Sequence, residues 1–241
     1  MNDFDSLVKK LNKAMMEEYG AVNMDKNPVY VHRKGLSYEQ LAYALGQYSF
    51  FPKNIASFLY SARGSARKAE WKKVDAELTR NLGEELGTET NRVTHYDLLL
   101  RGIKESLGED FYGVTAKRAT SQYISTVESA MQSNETAYVL GGTYAMESSA
   151  IPEIKILVQI SEDLAQIKSG SRKLSGTLKD FFDMHLETWE VGHEDNLRKA
   201  SKGYISSKYR RNNFENGFRK ILETMDAWWN GLHHEAKNYK S

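Results

Sequence analysis

The sequence predicts an all-α fold, and three observations carry that reading. Apolar residues recur at helical spacing in segment after segment, β-branched alternation never persists, and only three prolines interrupt the 241 residues. About eight helices follow, as one domain over residues 1–241. No internal repeat, low-complexity tract or linker divides the chain, and its length is enough to bury a sizeable core.

The elements can be justified in order. Phe4, Leu7, Val8, Leu11 and Met15 make the first apolar stripe, with Gly20 as its stop. "VNMDKNPVYVHRKG" then reads as a turn-like connection. Ser37 and Gln40 form a capping box at the start of "YEQLAYALGQYSFF", Pro52 is expected to kink or break that helix, and "KNIASFLYSARG" resumes it. A helix over Ser65–Leu86 should end near Gly87, and "RVTHYDLLLRGIKESLG" follows. Further helices are expected over Thr115–Ser133 and Glu135–Ala150, with a bend forced by Pro152 before "EIKILVQISEDLAQIK". After the loop "SGSRKLSG" comes the helix holding "FFDMHLETWEVGHEDNL". Phe214, Phe218, Ile221, Leu222, Met225, Trp229 and Leu232 form the last apolar stripe, which is core packing, and leave His233 and His234 as surface residues near a helix C-terminus.

Composition excludes several functions. The 33 basic and 32 acidic residues give a net charge of +1, which offers no electrostatic footprint for nucleic acid or an anionic membrane. With no cysteine there is no disulfide, thiolate metal site or cysteine nucleophile. The N-terminus lacks an apolar core like that of a signal peptide, and no apolar run approaches the ~20 residues of a membrane helix. A cytoplasmic protein is the expectation.

Chemistry concentrates in three places. On "FFDMHLETWEVGHEDNL", Glu190 and His193 stand at i, i+3 on one helix face, the spacing of the Glu-x-x-His element in carboxylate di-metal bundles. A ferritin-like bundle needs a second such element. The residues three before His32, His95, His185, His233 and His234 are Val, Arg, Phe, Asn and Gly, so that reading fails. The zincin reading fails too, because "HEDNL" ends in leucine where a second histidine is required. "NLGEELGTETNRVTHYDLLL" sets Glu84, Glu85 and Glu89 ahead of His95. In "GGTYAMESSAIP", Glu147 lies among apolar neighbours, where an acid must be paired, protonated or metal-bound.

Together and in this order, "NLGEELG" with His95, "GGTYAMESSAIP" and "FFDMHLETWEVGHEDNL" resemble the haem-oxygenase-like all-helical superfamily. The resemblance is to its non-haem di-iron branch, the oxidases and oxygenases related to the chlamydial protein that associates with death domains. "LSYEQLAYALGQYSFFPKNIASFL" is similar to that superfamily's early helix, and the likeness runs from about residue 30 to 200. It implies a haem-oxygenase-like bundle and a metal site of Glu85, His95, Glu147, His185, Glu190 and His193. Two iron ions are implied there, with manganese as the alternative, together with O₂, a small organic substrate and a homodimer.

Two departures from the family pattern yield expectations of their own. His185 and His193 are eight residues apart where the family has seven, and on an ideal helix they lie about 80° apart. One inserted residue taken up as a π-bulge restores the register, so a π-turn or local kink is expected between Leu186 and Glu190, with Trp189 as the extra residue. The straight-helix spacing to His95 favours Glu84 and the motif favours Glu85. Because Gly87 interrupts the helix, Glu85 is taken as the ligand.

Imidazole and carboxylate donors suit iron or manganese, and with iron(II) the implied chemistry is O₂ activation followed by attack on the bound substrate. Asp97, Asp183 and Tyr144 are within reach as partners of the metal-site imidazoles. Tyr43, Tyr48, Phe51 and Phe58 either line a substrate pocket or fill core. The alternative is a metal-free member of the fold: a quinone-synthesis-type oxidase, a thiaminase-like enzyme (its usual cysteine is missing here) or a protein-interaction module. Haem ranks low, since His32, the one early histidine, lies in the turn-like segment.

Overall fold

The computed structural model describes residues 3–240, with the side chains of residues 188–191 outside that description. In order, the helices are α1 (Asp3–Glu18), α2 (Pro28–His32), α3 (Tyr38–Tyr48), α4 (Phe50–Lys68), α5 (Lys72–Glu85), α6 (His95–Leu107), α7 (Arg118–Met131), α8 (Thr136–Ser169), α9 (Gly176–Met184), α10 (Glu190–Ser201) and α11 (Lys208–Lys237). A 3₁₀ turn over Arg33–Gly35 follows α2, and a π-turn over His185–Trp189 joins α9 to α10. α2 is a single turn and Ser49 alone separates α3 from α4, which leaves nine principal helical runs among the described residues. None of the described helices is long and apolar enough to cross a membrane.

Local chemistry explains most boundaries. Ser37 and Gln40 make both bonds of the capping box at α3. Thr94 caps α6 by accepting from the Asp97 amide, and Gly108 ends that helix in the left-handed conformation. The break expected near Pro52 falls at Ser49, which puts the proline in the first turn of α4, where its missing N–H costs nothing.

Three expectations need correction. "VNMDKNPVYVHRKG" is partly helical: Asn27 accepts from the Val29 and Tyr30 amides, and Pro28 starts α2. The helix expected over Ser65–Leu86 is two helices. Glu70 takes a left-handed φ of 58°, and Trp71 turns into the core to stack on Tyr204. Pro152 ends nothing, because α8 runs through it for 34 residues. A mid-helix proline costs about 3 kcal/mol, which the burial of most of α8 outweighs.

α8 is the central rod. It packs against α11, α10, α4 and α3 within one connected core that runs from Phe4 to Ala236. Gly141 of α8 and Gly217 of α11 let the two backbones touch. A Cβ on Gly141 would lie 1.9 Å from the Phe214 carbonyl oxygen, and one on Gly217 equally close to that of Tyr138. α5, α6 and the α9–α10 run pack on one another beside α8, and the sequence-predicted site residues whose side chains are described lie among these elements.

Candidate metal centre

The last two turns of α5, the start of α6, the middle of α8, the π-turn and α10 bring the chemistry together. Glu84 and Glu85 are consecutive, so they diverge by about 100° around α5, and each meets a different histidine. Glu85 Oε2 lies 3.2 Å from His95 Nδ1. Glu84 Oε2 lies 2.5 Å from His193 Nε2. The choice between the two acids posed by the sequence therefore dissolves: Glu85 faces the His95 side and Glu84 the His193 side. Gly87, at φ 89°, turns the chain out of α5, and the following loop delivers His95 as the first residue of α6.

Glu147 Oε2 stands 3.2 Å from His193 Nδ1, and its Oε1 accepts from Asn81 Nδ2 at 3.1 Å. His193 thus sits between two carboxylates. The ring of His185 meets that of His95 edge-on at 4.8 Å, and its electrostatic coupling to both His95 and His193 joins the two halves of the site. The structure brings together five of the six sequence-predicted residues, namely Glu85, His95, Glu147, His185 and His193, and adds Glu84. The side chain of Glu190 lies outside the described residues. The expected π-turn is present over His185–Trp189, and it carries the chain from His185 to His193.

Burial and charge set the protonation of these groups. His185 is buried, and desolvation together with the neighbouring imidazoles pushes its pKa down to about 3, so it is neutral at physiological pH. Its Nδ1–H donates to the Phe181 carbonyl at 2.7 Å, which makes Nε2 the nitrogen with a lone pair to offer. Burial raises the pKa of Glu84, but His193 and Arg80 outweigh it and hold that carboxyl below its ordinary range. Arg80 also bonds Glu77.

The other expected partners go elsewhere. Asp97 accepts from Thr94 and Asp183 pairs with Lys179. Tyr144 donates to Glu194, which also accepts from Asn12 at 2.7 Å, so α1 and α8 together anchor the residue next to His193. Asn81 escaped sequence reasoning, although its spacing of three and four from Glu84 and Glu85 marked it as a neighbour on α5.

A cavity of about 50 Å³ opens beside Glu85, His95 and His185. Tyr48, Phe51, Pro52 and Ile55 form one wall and Ala150, Ile154 and Leu157 of α8 the other. Tyr48 and Phe51 are therefore pocket residues, whereas Phe58 is core and Tyr43 bonds Glu235 far from the site.

Among the described residues, no three of these groups are spread as ligands around one point, and His193 hydrogen-bonds Glu84 directly. The chemistry of the donors nevertheless suits a divalent cation. Three imidazoles and three carboxylates supply N and O ligands without thiolate, and His185 has its second nitrogen anchored to a carbonyl as metal-bound imidazoles do.

Comparisons with known proteins bear on family and fold. The model of a family described as a domain of unknown function with a solved structure, DUF3865, matches residues 5–235. Two crystal structures of a CADD-like protein of unknown function from Nostoc punctiforme superpose with TM-scores of 0.92 and 0.90 at 35% and 34% identity. They cover 97% and 99% of this chain and 98% of theirs. A 4-chloro-allylglycine synthase from Streptantibioticus cattleyicolor is 26% identical over 173 residues, or 70% of this chain, and the match spans 62% of that enzyme's length. A TenA homologue from Pseudomonas syringae pv. tomato shares the fold, with a TM-score of 0.64 at 14% identity over 96% of this chain and 93% of its own.

Proposed function

The chain belongs to the DUF3865 family and to the CADD-like haem-oxygenase-like superfamily, and from that premise we propose that it is a non-haem di-iron oxidase or oxygenase acting with O₂ on a small organic substrate. One observation carries the reading: three imidazoles and three carboxylates converge from α5, α6, α8 and the α9–α10 run beside a cavity. Similarity to an enzyme of amino-acid synthesis supports catalysis in general.

Glu85, His95, Glu147, His185, Glu190 and His193 are the proposed ligands, with Glu84 joining them by its position against His193. Two irons (or manganese ions) bound there supply the redox chemistry of O₂ activation. The chain's own contributions are positional. His185, held neutral, presents Nε2 to the site, because only a deprotonated ring nitrogen can ligate. Asn81 fixes the rotamer of Glu147 by donating to Oε1, which leaves Oε2 toward His193. Arg80 and His193 keep Glu84 anionic. The walls from Tyr48 to Ile55 and from Ala150 to Leu157 keep bulk water from the face that receives the substrate.

The test is iron per chain after anaerobic iron(II) loading and desalting, for the wild type and Glu147→Ala. About two irons in the wild type, falling sharply in a variant of unchanged helicity, and O₂ uptake by the loaded wild type are expected. A wild-type chain that retains no iron overturns the reading.

A further inference from the structure

Tyr48 ends α3 on the wall of the cavity, and its ring is the first of three that lie nearly parallel. It stacks on Trp228 of α11 at 5.4 Å with 17° between the planes, and Trp228 stacks on Tyr123 of α7 at 4.1 Å and 11°. All three rings are buried. On the far side, Trp228 and Tyr123 line a groove of about 310 Å³ between α7 and α11, which Gln122, Lys220 and Glu223 also line. Trp228 therefore joins a surface groove to the ring that borders the cavity.

These rings differ in how they can lose an electron. An oxidised phenol must give up its proton, and the Tyr123 hydroxyl has no hydrogen-bond partner among the described residues to take it. An oxidised indole can keep its proton as a radical cation. Trp228 holds its N–H on the Thr120 hydroxyl at 3.2 Å, a group too weakly basic to remove it. Tyr48 borders the cavity, so its proton can leave with the electron. Phenylalanine would fill the same space as either ring and would carry no charge across it.

We propose that Tyr48 and Trp228 form a one-electron conduit, through which a diffusible enediol reductant at the α7–α11 groove discharges an O₂-derived radical in the cavity. The radical takes an electron and the phenolic proton from Tyr48, so the Tyr48 O–H bond breaks and the O–H bond of a hydroperoxide forms. Trp228 then gives an electron to the Tyr48 radical, which recovers a proton from water at the cavity, and Trp228 is left as the indole radical cation. The enediol returns that electron at the groove and releases a proton to solvent. Both rings end unchanged, and the net change is one radical and one enediol converted to a hydroperoxide and an enediol radical. The source of the O₂-derived radical rests on the oxidase reading. The conduit itself does not.

The chain has no cysteine, so Gln122→Cys takes a single ruthenium-polypyridyl photo-oxidant in the groove. Tyr123→Phe is included throughout to silence the nearer phenol. In the metal-free protein, a flash with an electron acceptor should produce a tryptophan radical that decays into a tyrosyl radical, read by transient absorption. Tyr48→Phe removes one oxygen and keeps the ring, so it should leave the tryptophan signal and abolish the tyrosyl one. Trp228→Phe should abolish both, and if that variant does not fold, Tyr48→Phe decides alone. A tyrosyl signal that survives Tyr48→Phe, or a tryptophan signal that survives Trp228→Phe, overturns the proposal. So does the absence of both radicals when both rings are intact. A second arm exposes the iron-loaded chain to O₂ without substrate and reads oxygen addition at Tyr48 by peptide mass spectrometry. Ascorbate should suppress that addition in the wild type and not in Trp228→Phe, and equal suppression in the two overturns the proposal. If the wild type holds no iron, the oxidase reading falls, and the flash experiment still decides the conduit.

Discussion

Glu147 and Glu153 lie on the same helix, six residues apart, both buried, and the protein handles them in opposite ways. Glu147 is met by Asn81 and His193, groups that bond an anionic carboxylate and that belong to the proposed metal centre. Glu153 is fully buried among aromatic side chains, accepts from Trp229, and has no hydrogen-bond partner for Oε2 among the described residues. Burial pushes its pKa up to about 8 against the opposing pull of Trp229 and Ser149, so at neutral pH it is mainly the uncharged acid. Burial alone therefore does not mark a metal ligand. What distinguishes Glu147 is the company of imidazole and amide groups. Four substitutions or measurements bear on that contrast, and the iron retention of Glu147→Ala described above is one of them.

The largest effect is expected from Gly141→Ala. The α8–α11 contact sets the register that puts Trp229 against Glu153 on one side and Glu147 against α5 on the other. An added Cβ would meet the Phe214 backbone at 1.9 Å, where no side-chain rearrangement relieves it. The helices must separate, at a cost of about 3 kcal/mol or more. Urea unfolding should show that loss, and both acids should be displaced together. A variant as stable as the wild type would mean that the register is not set at this crossing.

Glu153→Gln sharpens the comparison through pH. Between the ordinary carboxyl pKa of 4.5 and the folded value of about 8, the native state holds a proton that the unfolded chain has released. Native stability then falls as pH rises, by up to about 1.4 kcal/mol per pH unit, and levels off above about 8. Glutamine cannot ionise. The stability of the variant minus that of the wild type should therefore climb from pH 5 to 8, while iron retention stays unchanged. A flat difference would mean that Glu153 is ionised in the folded protein.

Much of the fold and part of this contrast could be read in the sequence. The capping box at Ser37, the apolar stripes of α1 and α11 and the irregularity between His185 and His193 are local features, written in residue types at fixed spacings. The break at Glu70 was not legible, because no glycine or proline marks it and the burial of Trp71 decides it. Nor was the continuity of α8 through Pro152, which depends on packing all around the helix. Among the site residues, "NLGEELG" offered Glu84 and Glu85 as rivals. Which histidine each acid meets depends on how α5 is rotated against α6 and α10, a tertiary quantity. Glu153 had a signal that went unused: like Glu147, it is a lone acid in an apolar run, "AIPEIKIL".

The smallest effect tests what sets Glu147 apart. Asn81 touches Glu147 through one hydrogen bond and, like Glu147, is buried. If the imidazoles alone made Glu147 a ligand, removing that amide would change little. If orientation matters, Asn81→Ala lets the carboxylate rotate away from His193, and iron affinity should fall by about ten- to a hundredfold, as for other partners of metal ligands. The chain should meanwhile lose only about 1 kcal/mol of stability in the metal-free state, the worth of one hydrogen bond. Competition with a graded iron(II) chelator reads the affinity, and urea unfolding of the metal-free protein reads the stability. A loss of stability with affinity intact would reduce Asn81 to core packing. A loss of affinity with stability nearly intact would assign it to holding the Glu147 carboxylate toward His193, a hold that Trp229 does not give Glu153.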